Sequence, residues 1–428
     1  MEQDKILYYV DSIHYPESER NDRRIDNNDT VQVSLLNVNK AGEPNDVVVS
    51  VPVGQLSFEN GRRIANNNFV YYSANHQVPF ENGNKDPRAL ELINRSSKLR
   101  ATLRDKYQNQ SIELPAAVQL DNSRITSYHI NVGHGNCSVI LIESGRFYQI
   151  WMVDCGTAYY VRGPHLENID DCFDDIAERL GVNKGKLHIS LFMLTHLHSD
   201  HYNGIEMLFN RGYCNGGTSF FINLDYAVAA PTYIRILELI ENNGCTISSP
   251  IRNVVTDNGK QPMPMIIFPD RKVYKNYSPS IQLPYYVEQN TNNASVVYIV
   301  AGNGKRMMFP GDMEKKELDT ITKSGNCTPF LNGVNYYCVS HHASITGHLD
   351  RKCLDPGRHP YSICRECCKD NLDRAIVMGR DGAFSGIYNQ TVINDFAQVI
   401  AYSEKDDIGN PVKCLILDWA RNTCSYLY

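Results

Sequence analysis

From residue 125 onward, short apolar runs alternate with turns and amphipathic stretches, the pattern of a mixed α/β domain. Residues 139–143 and 149–153 read as neighbouring strands across the turn Ser144-Gly145-Arg146. Residues 170–180 set Phe173, Ile176, Ala177 and Leu180 at helical spacing. Residues 187–195 are almost continuously apolar and predict a strand buried on both faces. A helix is predicted over 231–243, opened by Pro231 and closed by Gly244. Further strands are predicted at 295–301, 306–309, 336–340, 375–378 and 413–417, and helices at 314–323 and 392–401.

The first 120 residues differ. They are polar and asparagine-rich (Asn21, Asn27, Asn28 and Asn66 to Asn68), with strand-like runs at 31–36 and 47–51. A helix predicted over 88–107 carries Lys98, Arg100, Arg104 and Lys106, which suit either a solvated face or contacts to phosphates. No catalytic constellation and no internal repeat precedes residue 125. The chain therefore divides into a β-rich and helical region, 1–120, and a larger domain, 125–428, with a cysteine-rich insertion at about 345–370.

Composition sets limits on this picture. Of 428 residues, 42% are apolar and 21% charged, enough for a sizeable core. The formal charge of −6 provides no general attraction for nucleic acid, so such a contact needs a local basic patch. No secretory signal opens the chain, and no run nears the ~18–20 apolar residues that span a bilayer. A cytoplasmic protein is expected, with no membrane partner. Its thirteen cysteines then read as free thiols, apart from one cluster with metal-binding potential.

The chemistry concentrates in Thr195-His196-Leu197-His198-Ser199-Asp200-His201, directly after the predicted buried strand. On an extended segment His196 and His198 point the same way and can grip one ion. Asp200 and His201, entering the next turn, can reach a second. Imidazole and carboxylate are the ligands zinc takes when it keeps a position open for water. Asp154, Asp312, His341 and His342 each stand where another apolar strand gives way to a loop, the usual place for functional groups in α/β sheets.

With an aspartate at a strand end, H-x-H-x-D-H, a later Gly-Asp and a late histidine, the chain resembles the metallo-β-lactamase fold superfamily. The segments Asn131-Val132-Gly133-His134-Gly135-Asn136, Val153-Asp154-Cys155-Gly156, Asn292-Asn293-Ala294-Ser295, Pro310-Gly311-Asp312 and His341-His342-Ala343-Ser344 are similar to the metallo-β-lactamase domain of competence-type DNA-uptake proteins. The resemblance covers roughly residues 125–428. It implies an α/β fold, an αββα sandwich with a site at one edge of two sheets, here preceded by an N-terminal β-rich extension. It also implies a first zinc on His196 and His198, a second on Asp200 and His201, and a bridging Asp312. One of His341 and His342, with His342 favoured, would complete the second site, and Asp154 would orient the histidine loop from behind.

The sequence departs from that pattern in two places. No histidine lies between His201 and His341, where most of the superfamily places a ligand to the first ion; Asn292 and Asn293 sit near that point, behind or beside the ligands. The first site is thus short of a ligand, which leaves manganese as an alternative to zinc. In the glycine-rich turn, His134 and Asn136 replace the usual Gln and Asp; His134 is either a supplier of a ligand or a proton, or an inert turn residue.

These features imply a metal-dependent, dinuclear zinc hydrolase in which a metal-activated hydroxide, oriented by Asp200, cleaves phosphodiester bonds. A nuclease or a nucleotide phosphodiesterase is expected, and single strands or small nucleotides suit the acidic chain better than long duplexes. The competing reading is a catalytically weak protein of the same fold that binds a protein partner through residues 1–120, within a bacterial defence or DNA-processing system. Cys353, Cys364 and Cys367, with Cys368 or His359 as a fourth ligand, suit either an additional structural zinc or free thiols in an irregular loop.

Overall fold

The computed structural model describes residues 6–14, 28–38, 47–58, 64, 66–72, 80–107, 123–158, 165–224, 226, 228–248, 263–267, 291–314, 318, 321, 333–348, 372–384, 386–396 and 399–428. An antiparallel sheet comes first: β1 (Leu7–His14), β2 (Thr30–Asn37), β3 (Val47–Pro52), β4 (Phe69–Tyr72) and β5 (Phe80–Asn82), in the order β3-β2-β1-β4-β5. Helix α1 (Pro87–Tyr107) follows.

Two mixed sheets make up the rest. The first holds β6 (Arg124–Ile130), β7 (Cys137–Ser144), β8 (Phe147–Cys155), β9 (Leu191–Met193), β10 (Ser219–Phe221) and β11 (Thr246–Ser248). Strands β6 to β8 pair antiparallel and β8 to β11 parallel. The second sheet runs in order through β12 (Met263–Ile267), β13 (Val297–Gly302), β14 (Lys305–Phe309), β15 (Tyr336–Cys338), β16 (Arg374–Val377) and β17 (Ile400–Tyr402). The final hairpin, β18 (Cys414–Asp418) and β19 (Thr423–Leu427), returns to the first sheet beside β6.

Side-chain alternation holds the two sheets together. In β7 and β8, Ile140, Ile142, Trp151 and Val153 face the second sheet and pack with Tyr298, Val300, Met307, Phe309 and Ile376. Their neighbours Val139, Leu141, Ile150 and Met152 face outward, under α2 (Asn168–Leu180) and its Ile169, Phe173 and Ile176. The helices α3 (Ser199–Tyr202), α4 (Ile205–Asn210) and α5 (Pro231–Asn242) lie on that same outer face, and α6 (Gln390–Asp395) contributes Val392 to the outer cluster of the second sheet. Each fully buried Val, Leu or Ile contributes roughly 1.5–3 kcal/mol. Because both faces are covered, these strands read as unbroken apolar runs. This is the αββα sandwich that the resemblance implies, preceded by an additional antiparallel sheet.

Three expectations need correction. The run 187–195 is buried, but only Leu191–Met193 forms a ladder strand, since apolar continuity reports burial and not pairing. The helix expected over 392–401 starts at Gln390, where Asn389 Oδ1 accepts from Thr391 N at 2.9 Å, and ends by Phe396; residues 400–402 instead pair with β16. The basic run on α1 is not a solvated face throughout. Arg100 Nη1 and Arg104 Nη2 each donate to the Leu224 carbonyl at 3.0 Å, and Arg95 forks onto Glu238 of α5 at 2.6 Å.

Most of 314–323 and the whole of 349–371, with Cys353, His359, Cys364, Cys367 and Cys368, lie outside the described residues. The described cysteines are free thiols, nearly all buried. Among the described residues no helix is long and apolar enough to cross a membrane.

Candidate metal centre

The carboxyl ends of β8 and β9 in one sheet meet those of β14, β15 and β16 in the other, and the predicted residues gather at this edge. After β9 the chain stays extended to His198, which leads into α3. That geometry turns His196 and His198 to one side, with His196 Nε2 3.2 Å from His198 Nδ1. Across from them Asp312, delivered by the turn after β14, brings Oδ2 to 3.8 Å from His196 Nε2. One turn on, α3 presents Asp200 and His201. His201 Nε2 lies 3.4 Å from Asp312 Oδ1, and His342 Nε2 lies 3.7 Å from Asp312 Oδ2 and 3.3 Å from Asp200 Oδ2.

Among the described residues, three triads therefore have ligand atoms within 4.8 Å of one another: His196, His198 and Asp312; His201, Asp312 and His342; His134, Asp200 and His342. Asp312 belongs to the first two and His342 to the last two. His134 enters from the turn between β6 and β7, buried, with Nε2 3.5 Å from Asp200 Oδ2 and its ring 4.3 Å from that of His342. The structure thus puts it among the ligand groups and not in a remote turn.

A supporting layer aims these rings. Asp154 Oδ2 lies 2.9 Å from His201 Nδ1, while its two oxygens accept from Thr195 N and Oγ1, both at 2.7 Å. His342 Nδ1 is held by the Met378 carbonyl at 3.1 Å. In both rings a proton on Nδ1 leaves Nε2 free to bind an ion, the usual way such a tautomer is set. Asp154, His341, His342 and Ala343 all have left-handed backbone, with φ of 55°, 53°, 50° and 61°. Such conformations in residues other than glycine are costly and gather at functional sites. Gly379, at φ 99°, makes room for the arrangement: a Cβ there would lie 2.7 Å from His342 Nδ1.

His341 and the asparagines stand further out. His341 Nε2 is 3.9 Å from Asp312 Oδ2 and 3.3 Å from Asn292 Nδ2, on the side of the first triad. Asn293 turns away, its side chain donating to Glu314 Oε2 at 3.1 Å and accepting from Glu314 N at 3.0 Å.

The electrostatics divide the site in two. Burial drives His196 and His134 well below the usual imidazole range and His198 to about 4, so these rings are neutral with available lone pairs. Burial also acts to lower His201 and to raise Asp200 and Asp312, but mutual attraction outweighs it. The carboxylates of Asp312, Asp200 and Asp154 hold His201 well above its ordinary value; His201, His342 and His134 hold Asp200 well below the carboxylate range. His342 is raised and Asp312 lowered in the same way. Burial raises Asp154, against the pull of His201. His201 and His342 would hold a cation in this second group as neutral rings, so its binding would be coupled to loss of their protons.

The donor set fits a divalent ion. His201 Nε2, His342 Nε2 and Asp312 Oδ1 are buried without hydrogen-bond partners, and they belong to the side chains of one triad. Buried polar groups are normally satisfied, so three orphans converging on one point call for an ion. Sequence reading missed other participants. Asn136 Nδ2 lies 3.4 Å from His201 Nδ1, and Asp11 of β1 accepts through Oδ2 from Ser199 Oγ at 2.8 Å and, more weakly, from Ser199 N at 3.3 Å. Asn136 was within reach, standing where the resemblance expects aspartate; Asp11 carries no local signal.

Two facing mixed sheets under outer helices, with a histidine–aspartate centre at one edge, define the metallo-β-lactamase type of fold with the features of a metal site. No family model matches the chain, nor does any curated relative. Among solved structures, the chain is similar to the metallo-β-lactamase fold protein YhfI from Bacillus subtilis (12% identity, 65% of this chain and 96% of that one, TM-score 0.36). It is also similar to the short form of human tRNase Z (11%, 65% and 95%, 0.33) and to a diphosphatase of the PhnP family (9%, 69% and 98%, 0.31). At such scores these likenesses carry no argument about chemistry; the fold stands on its strand order and the site on its distances.

Proposed function

We propose that the protein is a metal-dependent hydrolase that holds two divalent ions, most naturally zinc, and cleaves phosphodiester bonds of a nucleotide or a single-stranded nucleic acid. The observation that carries this reading is the set of overlapping triads joined through Asp312. His196, His198 and Asp312 would hold one ion; Asp312, His201, His342 and Asp200 would hold the other. Bound there, such ions supply Lewis acidity and bring a water toward ionisation at neutral pH. Asp200 stays ionised beside His134 and His342, so its Oδ2 can accept the hydrogen bond of an attacking water and orient it. The neutral His134 ring keeps this corner free of a fixed positive charge. The order of motifs, similar to competence-type proteins, supports phosphodiesters over other esters.

The test combines elemental analysis with turnover. The wild-type chain is expected to carry two ions and to hydrolyse bis(p-nitrophenyl) phosphate, single-stranded DNA or RNA. The Asp200→Ala, His201→Ala double variant is expected to lose at least one ion and at least 100-fold in kcat/KM, about 2.7 kcal/mol. Two bound ions with no turnover of any phosphodiester, in zinc or manganese, would refute the substrate class.

A further inference from the structure

We propose that the N-terminal sheet forms one wall of the metal centre and that His14, at the end of β1, is a substrate-contacting residue that donates a hydrogen bond to the phosphoryl group. The substrate class rests on the hydrolase reading above; the place of His14 does not.

Strand β1 carries a register shift between Val10 and Ser12. Its first half alternates cleanly: Leu7 and Tyr9 pack with the helices of the large domain, whereas Tyr8 and Val10 pack into the sheet's own core with Val33 and Leu35. Strict alternation would send Ser12 and His14 into that second core. Instead, Val10 pairs with Leu35 and Ser12 with Ser34, so Asp11 is an extra residue, a β-bulge. The bulge shifts the phase, so that Ile13 joins the sheet's core while Ser12 and His14 come round to the side of Leu7 and Tyr9. Bulges of this kind re-aim side chains and are over-represented beside active sites.

The re-aimed residues arrive at the centre. Asp11 grips Ser199, the residue before Asp200, and so clamps the start of the helix that carries two of the proposed ligands. The His14 ring stacks on Phe384 at 3.9 Å and 21°, and the edge of Phe384 meets His134 at 4.8 Å. His14 lies near enough to His341, His198, Asp200 and Asp312 for their charges to act on it. It is not among the converging ligand triads. Its hydrogen bond to Ser12 Oγ at 2.9 Å uses Nε2, which leaves Nδ1 for a ligand. Burial, reinforced by His341 and His198, pushes its pKa down to about 3, so the ring is a neutral donor that suits an oxyanion without competing for the metal.

The experiment uses the full-length, zinc-loaded protein and inorganic phosphate as the probe, followed by titration calorimetry beside elemental analysis. The His14→Ala variant is expected to keep both ions and bind phosphate about tenfold more weakly, the loss of one hydrogen bond to a charged group. His14→Asn, which can place a donor near the position of Nδ1, is expected to recover part of that loss. Unchanged phosphate affinity in His14→Ala overturns the proposal, as does a wild-type protein that binds no phosphate. Loss of an ion in both variants overturns it too, by making His14 a ligand or a scaffold. Phosphate binding that depends on His14 in a protein without phosphodiesterase turnover would uphold this inference while sinking the hydrolase reading.

Discussion

At the scale of single residues, the centre depends on groups that never touch an ion. Asp154 connects Thr195 and His201, and its removal should release both the ring and the loop that carries His196 and His198. Asparagine tolerates the left-handed backbone at this position, so Asp154→Asn keeps the turn while removing the charge and replacing one accepting oxygen with an NH2 group. The expected result is zinc affinity about 10–100-fold weaker, read by chelator competition, with unchanged circular dichroism. Equal affinity in the variant would mean that Thr195 and packing orient His201 unaided. The legibility of these residues follows from how they are placed in the chain. The cluster at 196–201 is contiguous, so one extended segment and one helical turn determine its geometry, and it can be read directly. Asp11 and His14 reach the centre only through strand order and a bulge, which single positions do not announce.

At the scale of elements, helix α1 shows how local chemistry and tertiary demand combine. Asp86 precedes Pro87 at its start, and Asp86 Oδ1 accepts from Arg88 N at 2.8 Å while the carboxylate also takes the Arg88 guanidinium and the Tyr71 hydroxyl of β4. The hydrogen bond from Arg88 holds the Asp86 carboxyl well below the ordinary carboxylate range in the folded state, against the opposing effect of partial burial. A depressed folded value means stabilisation that is complete above the unfolded value, about 4, and lost as pH falls toward the folded one. Asp86→Ala should therefore cost about 1 kcal/mol at pH 7, the worth of an N-cap, and progressively less below pH 4. Unfolding midpoints of the two proteins at pH 7 and pH 3 check this, and a gap that widens in acid would contradict it. Helices α1 and α5, each with proline at its first position, were predicted within a residue or two; 187–195 and 392–401 were not. In both failures apolar pattern measured burial correctly, but pairing with β10 and β16 across the sheets decided where strands lay.

At the scale of the molecule, the packing runs across the division expected near residue 120. Ala89, Ile93, Leu103 and Tyr107 of α1 lie in one apolar cluster with Tyr233, Ile236, Leu237 and Ile240 of α5, and Leu7, Tyr9 and Phe69 of the N-terminal sheet join it. The polar contacts across the same seam are largely buried: Ser96 Oγ donates to the Val228 carbonyl at 2.6 Å and Tyr107 Oη to the Cys245 carbonyl at 2.8 Å. A chain beginning at residue 123 would expose this face as one contiguous apolar patch, of the size that drives association once it passes a few hundred Å². It would also lose the Asp11 grip on Ser199. Size-exclusion chromatography with light scattering should therefore find the truncated protein aggregated or oligomeric, where the full chain keeps this face covered. A monodisperse truncated monomer that still binds two ions would show that the sandwich is self-sufficient and that its N-terminal sheet serves only the substrate side of the centre. The packing favours the first outcome, because the same strand that completes the core also delivers His14 to the site.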